Sequence, residues 1–92
     1  MPHIDKNSVA ALQLKINNAL EEDKLWLARE HYGSLIRICG YDKSIYKDYA
    51  KLLLDMREDL RAGKFYFLSG HRSSEALRCI GLFTNRYRRK TF

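Results

Sequence analysis

The stretch SIYKDYAKLLLDMREDLRAGKFYFLSG, Ser44 to Gly70, decides how this chain folds. Ile45, Tyr49, Leu52, Leu53, Met56 and Leu60 recur at helical spacing, while Lys47, Lys51, Asp55, Glu58 and Asp59 fall off that stripe. An α-helix buries the first set on one face and leaves the second in water. The pattern predicts a helix capped by Asp42 or Ser44 and stopped at Ala62 and Gly63. Beyond that stop, FYFL (Phe65 to Leu68) is a short apolar run held between Gly63 and Gly70. It is too brief for a helix between two glycines. It reads instead as an extended strap on the core, or as a strand that pairs with its own copy across a dimer.

Toward the N-terminus, Asn7 and Ser8 suit the cap of a helix over about 8–21, with Val9, Leu12, Ile16, Ala19 and Leu20 on its buried face. Glu21, Glu22 and Asp23 suit the positive end of a second helix over about 23–39, which buries Leu25, Ala28, Tyr32, Leu35, Ile36 and Cys39 and ends at Gly40. No Gly or Pro separates the two, so one long helix with a change of face near residue 22 fits the same residues. Toward the C-terminus, a last helix starts at Ser73 or Ser74, runs over about 73–90, and gains Glu75 in its first turn. At 100° per residue, Ala76, Ile80, Phe83 and Tyr87 share an arc of about 60°, with Arg78 and Arg89 opposite and Arg86 and Lys90 flanking. Gly81 in the middle of this helix costs up to about 1 kcal/mol relative to Ala, which predicts a kink or a close helix contact there. The expectation is an all-α fold: a single domain, 1–92, of about four helices in a small bundle, with a short strap near 65–68.

Composition agrees with a folded chain. Hydrophobic residues make up 46% and charged residues 30% of the 92, with one proline, unlike the aromatic-poor, proline-rich profile of disorder. A core this small is often completed by a second copy, so a homodimer is expected as a default. Cys39 and Cys79 lie among apolar residues without a CxxC neighbour and read as reduced, buried packing residues. The opening MPHIDKNSVAALQ lacks the cationic start and apolar run of a signal peptide, and no segment approaches the ~20 apolar residues of a membrane span. Together these features predict a cytoplasmic protein with no membrane partner.

Charge is segregated. Residues 1–63 hold ten Lys or Arg against ten Asp or Glu, whereas residues 64–92 hold seven against Glu75 alone, so the net +6 sits in the C-terminal third. Such asymmetry builds a potential that recruits an anionic partner. NRYRRK, Asn85 to Lys90, is the densest cluster: arginine forks bind phosphate in bidentate fashion without reading sequence, and more cations gather there than a helix C-terminus needs. SGHRSS, Ser69 to Ser74, places His71 and Arg72 at the positive end of the last helix, where a phosphate or a carboxylate fits, although Ser and Gly also serve simply to cap and turn. Tyr32 to Lys51 can be laid on a helix-turn-helix template with Gly40 at the turn and Lys43, Ser44 and Lys47 facing DNA. Ile36 stands where that motif wants a small residue, so a plain helical hairpin fits as well.

No catalytic pattern accompanies these features. His3, His31 and His71 lack metal-ligand spacing, no phosphate-cradling glycine motif occurs, and Ser69 and His71 do not form a nucleophile elbow. The chain therefore reads as a non-catalytic regulatory or accessory binder of DNA or RNA that requires no cofactor. Arg72, Arg78, Arg86, Arg88, Arg89, Lys90 and His71 meet the anion, helped by Lys43 and Lys47. The alternative is an adaptor or inhibitor that docks the same basic helix on an acidic protein surface, with Trp26, Tyr66 and Phe92 as aromatic anchors.

Overall fold

A computed structural model describes residues 6–90, with side chains from 7 to 86, and shows five helices in sequence: α1 (Lys6–Glu21), α2 (Leu25–Cys39), α3 (Lys43–Asp55), α4 (Asp59–Ser69) and α5 (Ser74–Lys90). The fold is all-α, as the periodicity requires, and no strand occurs among the described residues. Packing divides the chain into two compact units, Met1–Asp42 and Lys43–Phe92.

The first unit is the α1–α2 hairpin. Ile16 and Ala19 of α1, and Ala28, Tyr32 and Leu35 of α2, are its buried residues; i, i+3 and i, i+4, i+7 spacings put each set on one face. The two helices are separate, not one long rod. Asp23 takes φ of +59°, Asp23 N–H donates to Leu20 C=O at 3.1 Å, and Lys24 N–H donates to Ala19 C=O at 2.8 Å. These paired bonds make a Schellman end, in which a left-handed residue lets the chain satisfy the last carbonyls and turn back. The acids expected to open the second helix therefore belong to the close of the first: α2 begins at Leu25 and has no acid in its first turn.

The second unit packs α4 against both α3 and α5. Here the sequence-based expectation is corrected twice. First, the helix that the apolar stripe carried through to Leu60 ends at Asp55. Arg57 adopts φ of +65°, and its N–H donates to Leu54 C=O at 3.0 Å while Glu58 N–H donates to Leu53 C=O at 2.9 Å, a second Schellman end. Second, FYFL is neither strap nor strand. Phe65 to Leu68 lie inside α4, which runs straight through Gly63. Ala62, Gly63, Tyr66 and Ser69 are its buried residues, a 3.6-residue period that turns one side of α4 inward.

The physical reason for a glycine in mid-helix is contact. A Cβ at position 63 would collide with the Cys79 carbonyl oxygen, lie 2.6 Å from the Cys79 carbonyl carbon and 3.0 Å from Phe83 Cβ. Backbone meets backbone at this point, and Ala62, Ala76 and Cys79, all fully buried, line the close approach. On the other side of α4, the Phe65 ring meets Tyr49 edge-on at 4.7 Å and Tyr46 at 5.5 Å, while Leu53 is fully buried.

Helix α4 ends where its cap predicts. Gly70 is left-handed at φ of +78°, and buried Ser69 donates its hydroxyl to Tyr66 C=O at 2.8 Å while accepting His71 N–H at 3.1 Å. Ser73 then caps α5: its Oγ accepts Ala76 N–H at 3.1 Å. The inward arc of α5 is rotated toward Cys79 by about half a residue step from the expected one. Ala76 and Cys79 are buried, and Phe83 and Ile80 are both half-buried. Tyr87, expected on that stripe, has a side chain outside the described residues. Gly81 meets nothing within 4 Å of a built Cβ, so the close contact expected there occurs at Gly63 instead.

Candidate anion-binding surfaces

Two of the cations expected to meet an anion make bonds within the second unit. Arg78 reaches across from α5 to α4, where its Nη1 donates to Asp59 Oδ2 at 3.0 Å; this bond, more than any other neighbour, raises the guanidinium pKa above its ordinary value. Arg72 folds back over the end of α4. Its Nη1 donates to the carbonyls of His71 at 3.0 Å and Tyr66 at 3.3 Å, and its guanidinium lies 5.7 Å from the centre of the Phe67 ring. Both arginines therefore help hold the second unit together. Arg86 is exposed on α5. Arg88, Arg89 and Lys90 are carried by the last turn of the α5 backbone, and their side chains lie outside the described residues.

A different grouping gathers at the start of α5. Lys47, Asp48 and Lys51 of α3, Tyr66 of α4, His71 of the connecting turn, and Ser73 and Glu75 line a cleft of about 280 Å³. Of the residues expected at the anion site, Lys47 and His71 are brought together here. Lys43 is exposed one helical turn before Lys47 on the same side of α3. Lys51 and Tyr66 were not anticipated in this role. The i, i+4, i+8 spacing of Lys43, Lys47 and Lys51 was a legible sign of a basic stripe; nothing in the sequence aligned Tyr66 with it, because FYFL read as extended.

Tyr66 is 5% exposed, its ring lies 5.8 Å from that of His71, and burial above all pushes its phenol pKa up. It is thus a buried wall of the cleft rather than the exposed aromatic anchor expected from sequence. Trp26, 60% exposed, remains a surface aromatic, Phe67 at 48% joins it, and Phe92 falls outside the described residues.

The two helices of the helix-turn-helix template fall in separate compact units, with Gly40 at φ of +68° closing α2. Both cysteines are free thiols: Cys79 is fully buried, its pKa raised chiefly by burial, while Cys39 is only half-buried. Among the described residues no group of three His, Cys, Asp or Glu gathers to hold a metal ion, and no helix is long and apolar enough to cross a membrane.

No family model matches this chain, and neither the curated proteins nor the solved structures yield a significant match. The reading of function therefore rests on the chain's own chemistry.

Proposed function

We propose that this chain is a small, non-catalytic nucleic-acid-binding protein, regulatory or accessory in character, that grips phosphates with the C-terminal end of α5. The observation that carries the reading is the concentration of charge there. Four of the five residues 86–90 are Arg or Lys on one continuous helix, while Arg72 and Arg78 are engaged within the fold. Cations at a helix C-terminus suit its negative dipole, but one or two meet that need. Four within five residues provide a repeated phosphate contact with no base reading, so binding is expected to depend on salt more than on sequence.

If Arg86, Arg88, Arg89 and Lys90 each neutralise one duplex phosphate, affinity falls by about two orders of magnitude between ~50 and ~200 mM salt. Replacing all four with Gln flattens that dependence. A titration at low salt that gives no complex at micromolar protein removes the reading.

A second reading draws on the apolar residues that α5 leaves in water. Leu77 is 54% and Leu82 43% exposed on the helix that carries the basic residues, a mixture suited to an acidic groove on a larger protein. A pull-down after nuclease treatment separates the two: a specific protein partner that survives the nuclease supports this second reading.

A further inference from the structure

We propose that the cleft between α3 and the start of α5 is a phosphate-binding site, built from Lys47, Lys51, Tyr66, His71 and Ser73 and separate from the basic end of the helix. Three independent features converge on it. The first is the positive end of α5. Ala76 N–H is taken by Ser73 Oγ and Leu77 N–H by Ser73 C=O, which leaves the N–H groups of Ser74 and Glu75 without an acceptor among the described residues.

The second feature comes from α3. Lys47 and Lys51, one turn apart and both exposed, line the cleft with no ion-pair partner among the described residues. The third comes from α4. Tyr66 is more than nine-tenths buried and lines the cleft, yet its hydroxyl has no hydrogen-bond partner among the described residues. That hydroxyl is not itself buried, so a ligand oxygen in the cleft would replace solvent as its partner. A volume of about 280 Å³ holds a tetrahedral oxyanion together with several waters, each of which takes about 30 Å³.

Two carboxylates, Asp48 and Glu75, line the same cleft and oppose an anion. They balance the two lysines, so the direction of selectivity is set by the other groups. Those are donors: the hydroxyls of Tyr66 and Ser73, the imidazole of His71 and the two amides of α5, with the helix dipole aligned behind them. A cation would face that dipole, whereas a phosphate oxygen accepts from every one of them. The phosphate can belong to a nucleic-acid strand or to a small phosphorylated molecule, and the cleft does not depend on the proposed grip by residues 86–90.

The test is a titration of inorganic phosphate into the full ¹⁵N-labelled chain, against sodium chloride of matched ionic strength. Saturable shifts of the Ser74 and Glu75 amides are expected with phosphate and not with chloride. The double variant Lys47→Gln, Lys51→Gln, at exposed positions that leave the fold intact, should weaken binding about tenfold. Tyr66→Phe, which keeps the buried ring, should weaken it about threefold or more. Asp48→Asn should tighten it.

Absence of a saturable shift, or the same shift with chloride, overturns the proposal. So does weaker binding by Asp48→Asn, which would make the cleft a cation or zwitterion site. To assign the source, the lysine double variant is assayed for oligonucleotide binding alongside the variant neutralised at 86, 88, 89 and 90. Lost oligonucleotide affinity in the first places a strand phosphate in the cleft; unchanged oligonucleotide affinity alongside weakened inorganic phosphate binding in that variant assigns a small phosphorylated ligand. The inorganic phosphate result stands whether or not the helix-end variant affects nucleic acid, so the two proposals fail separately.

Discussion

The two faces of α5 obey different rules. Toward α4, the helix presents Ala76, Cys79 and Phe83 to a neighbour so close that position 63 has no space for a methyl group. Away from that contact, Gly81 meets open space and Leu77 is exposed, while at its rim Leu82 is exposed and Arg78 bridges to Asp59 of α4. Each face carries a glycine contact question, and the answers are opposite. A glycine in a helix is thus informative only together with what lies across from it: Gly63 is there for the neighbouring helix, whereas Gly81 has no structural obligation to any neighbour that the fold reveals.

The sharpest way to break the contrast is Gly63→Ala. A methyl group against the Cys79 carbonyl forces α4 and α5 apart, and overpacking of this kind costs about 3 kcal/mol, read as a lower urea midpoint at unchanged slope. Next comes alkaline pH, which acts on the same inner face. Burial raises the Cys79 thiol above the ordinary 9.0 and the Tyr66 phenol above the ordinary 10.0. Below pH 9 both states hold these protons and stability does not depend on them. Above that pH the unfolded chain releases its thiol proton first, so stability should fall as pH rises, until the folded groups also titrate. Cys79→Ala should flatten the first part of that fall in unfolding curves measured from pH 8 upward.

The outer face should respond with the opposite sign. Gly81→Ala is expected to stabilise by up to about 1 kcal/mol, because the methyl meets nothing and the unfolded chain loses freedom. Smallest of all is Arg78→Ala. The pair with Asp59 is half exposed at the arginine and open to salt, so thermal midpoints of the wild type and the variant should converge as ionic strength rises.

How much of this was legible in the sequence depends on how each helix ends. Four residues with left-handed backbone join the five helices: Asp23, Gly40, Arg57 and Gly70. Gly40 and Gly70 announce themselves, since glycine takes positive φ without steric cost, and the ends near residues 39 and 69 follow from them. Asp23 and Arg57 carry no such signal. At Asp23 the change of apolar face still hinted at a break. At Arg57 it did not, because Met56 and Leu60 continue the stripe of α3 across the turn, and only the bonds from Arg57 to Leu54 and from Glu58 to Leu53 reveal that the chain has doubled back.

The same mechanism misplaced FYFL. Once Gly63 was taken as a stop, the run was too short to be a helix; once it is seen as a packing position, Ala62, Tyr66 and Ser69 fall on a helical period through it. For the site, single residue types were readable but their grouping was not. Arginines 72 and 78, expected at the anion site, also bond within the second unit, which no spacing signalled, whereas Lys47 and His71 meet Lys51 and Tyr66 only because α3 and α4 are two helices folded against each other.

One consequence concerns the thiols, which are divided one to each compact unit: Cys39 in the first and Cys79 in the second. They form a natural pair of reporters that requires no engineered label. A maleimide dye should mark half-buried Cys39 in the native chain, whereas Cys79 can react only when α5 lifts from Gly63. The lag between the two modifications therefore times the opening of the second unit at Cys79 in unaltered protein.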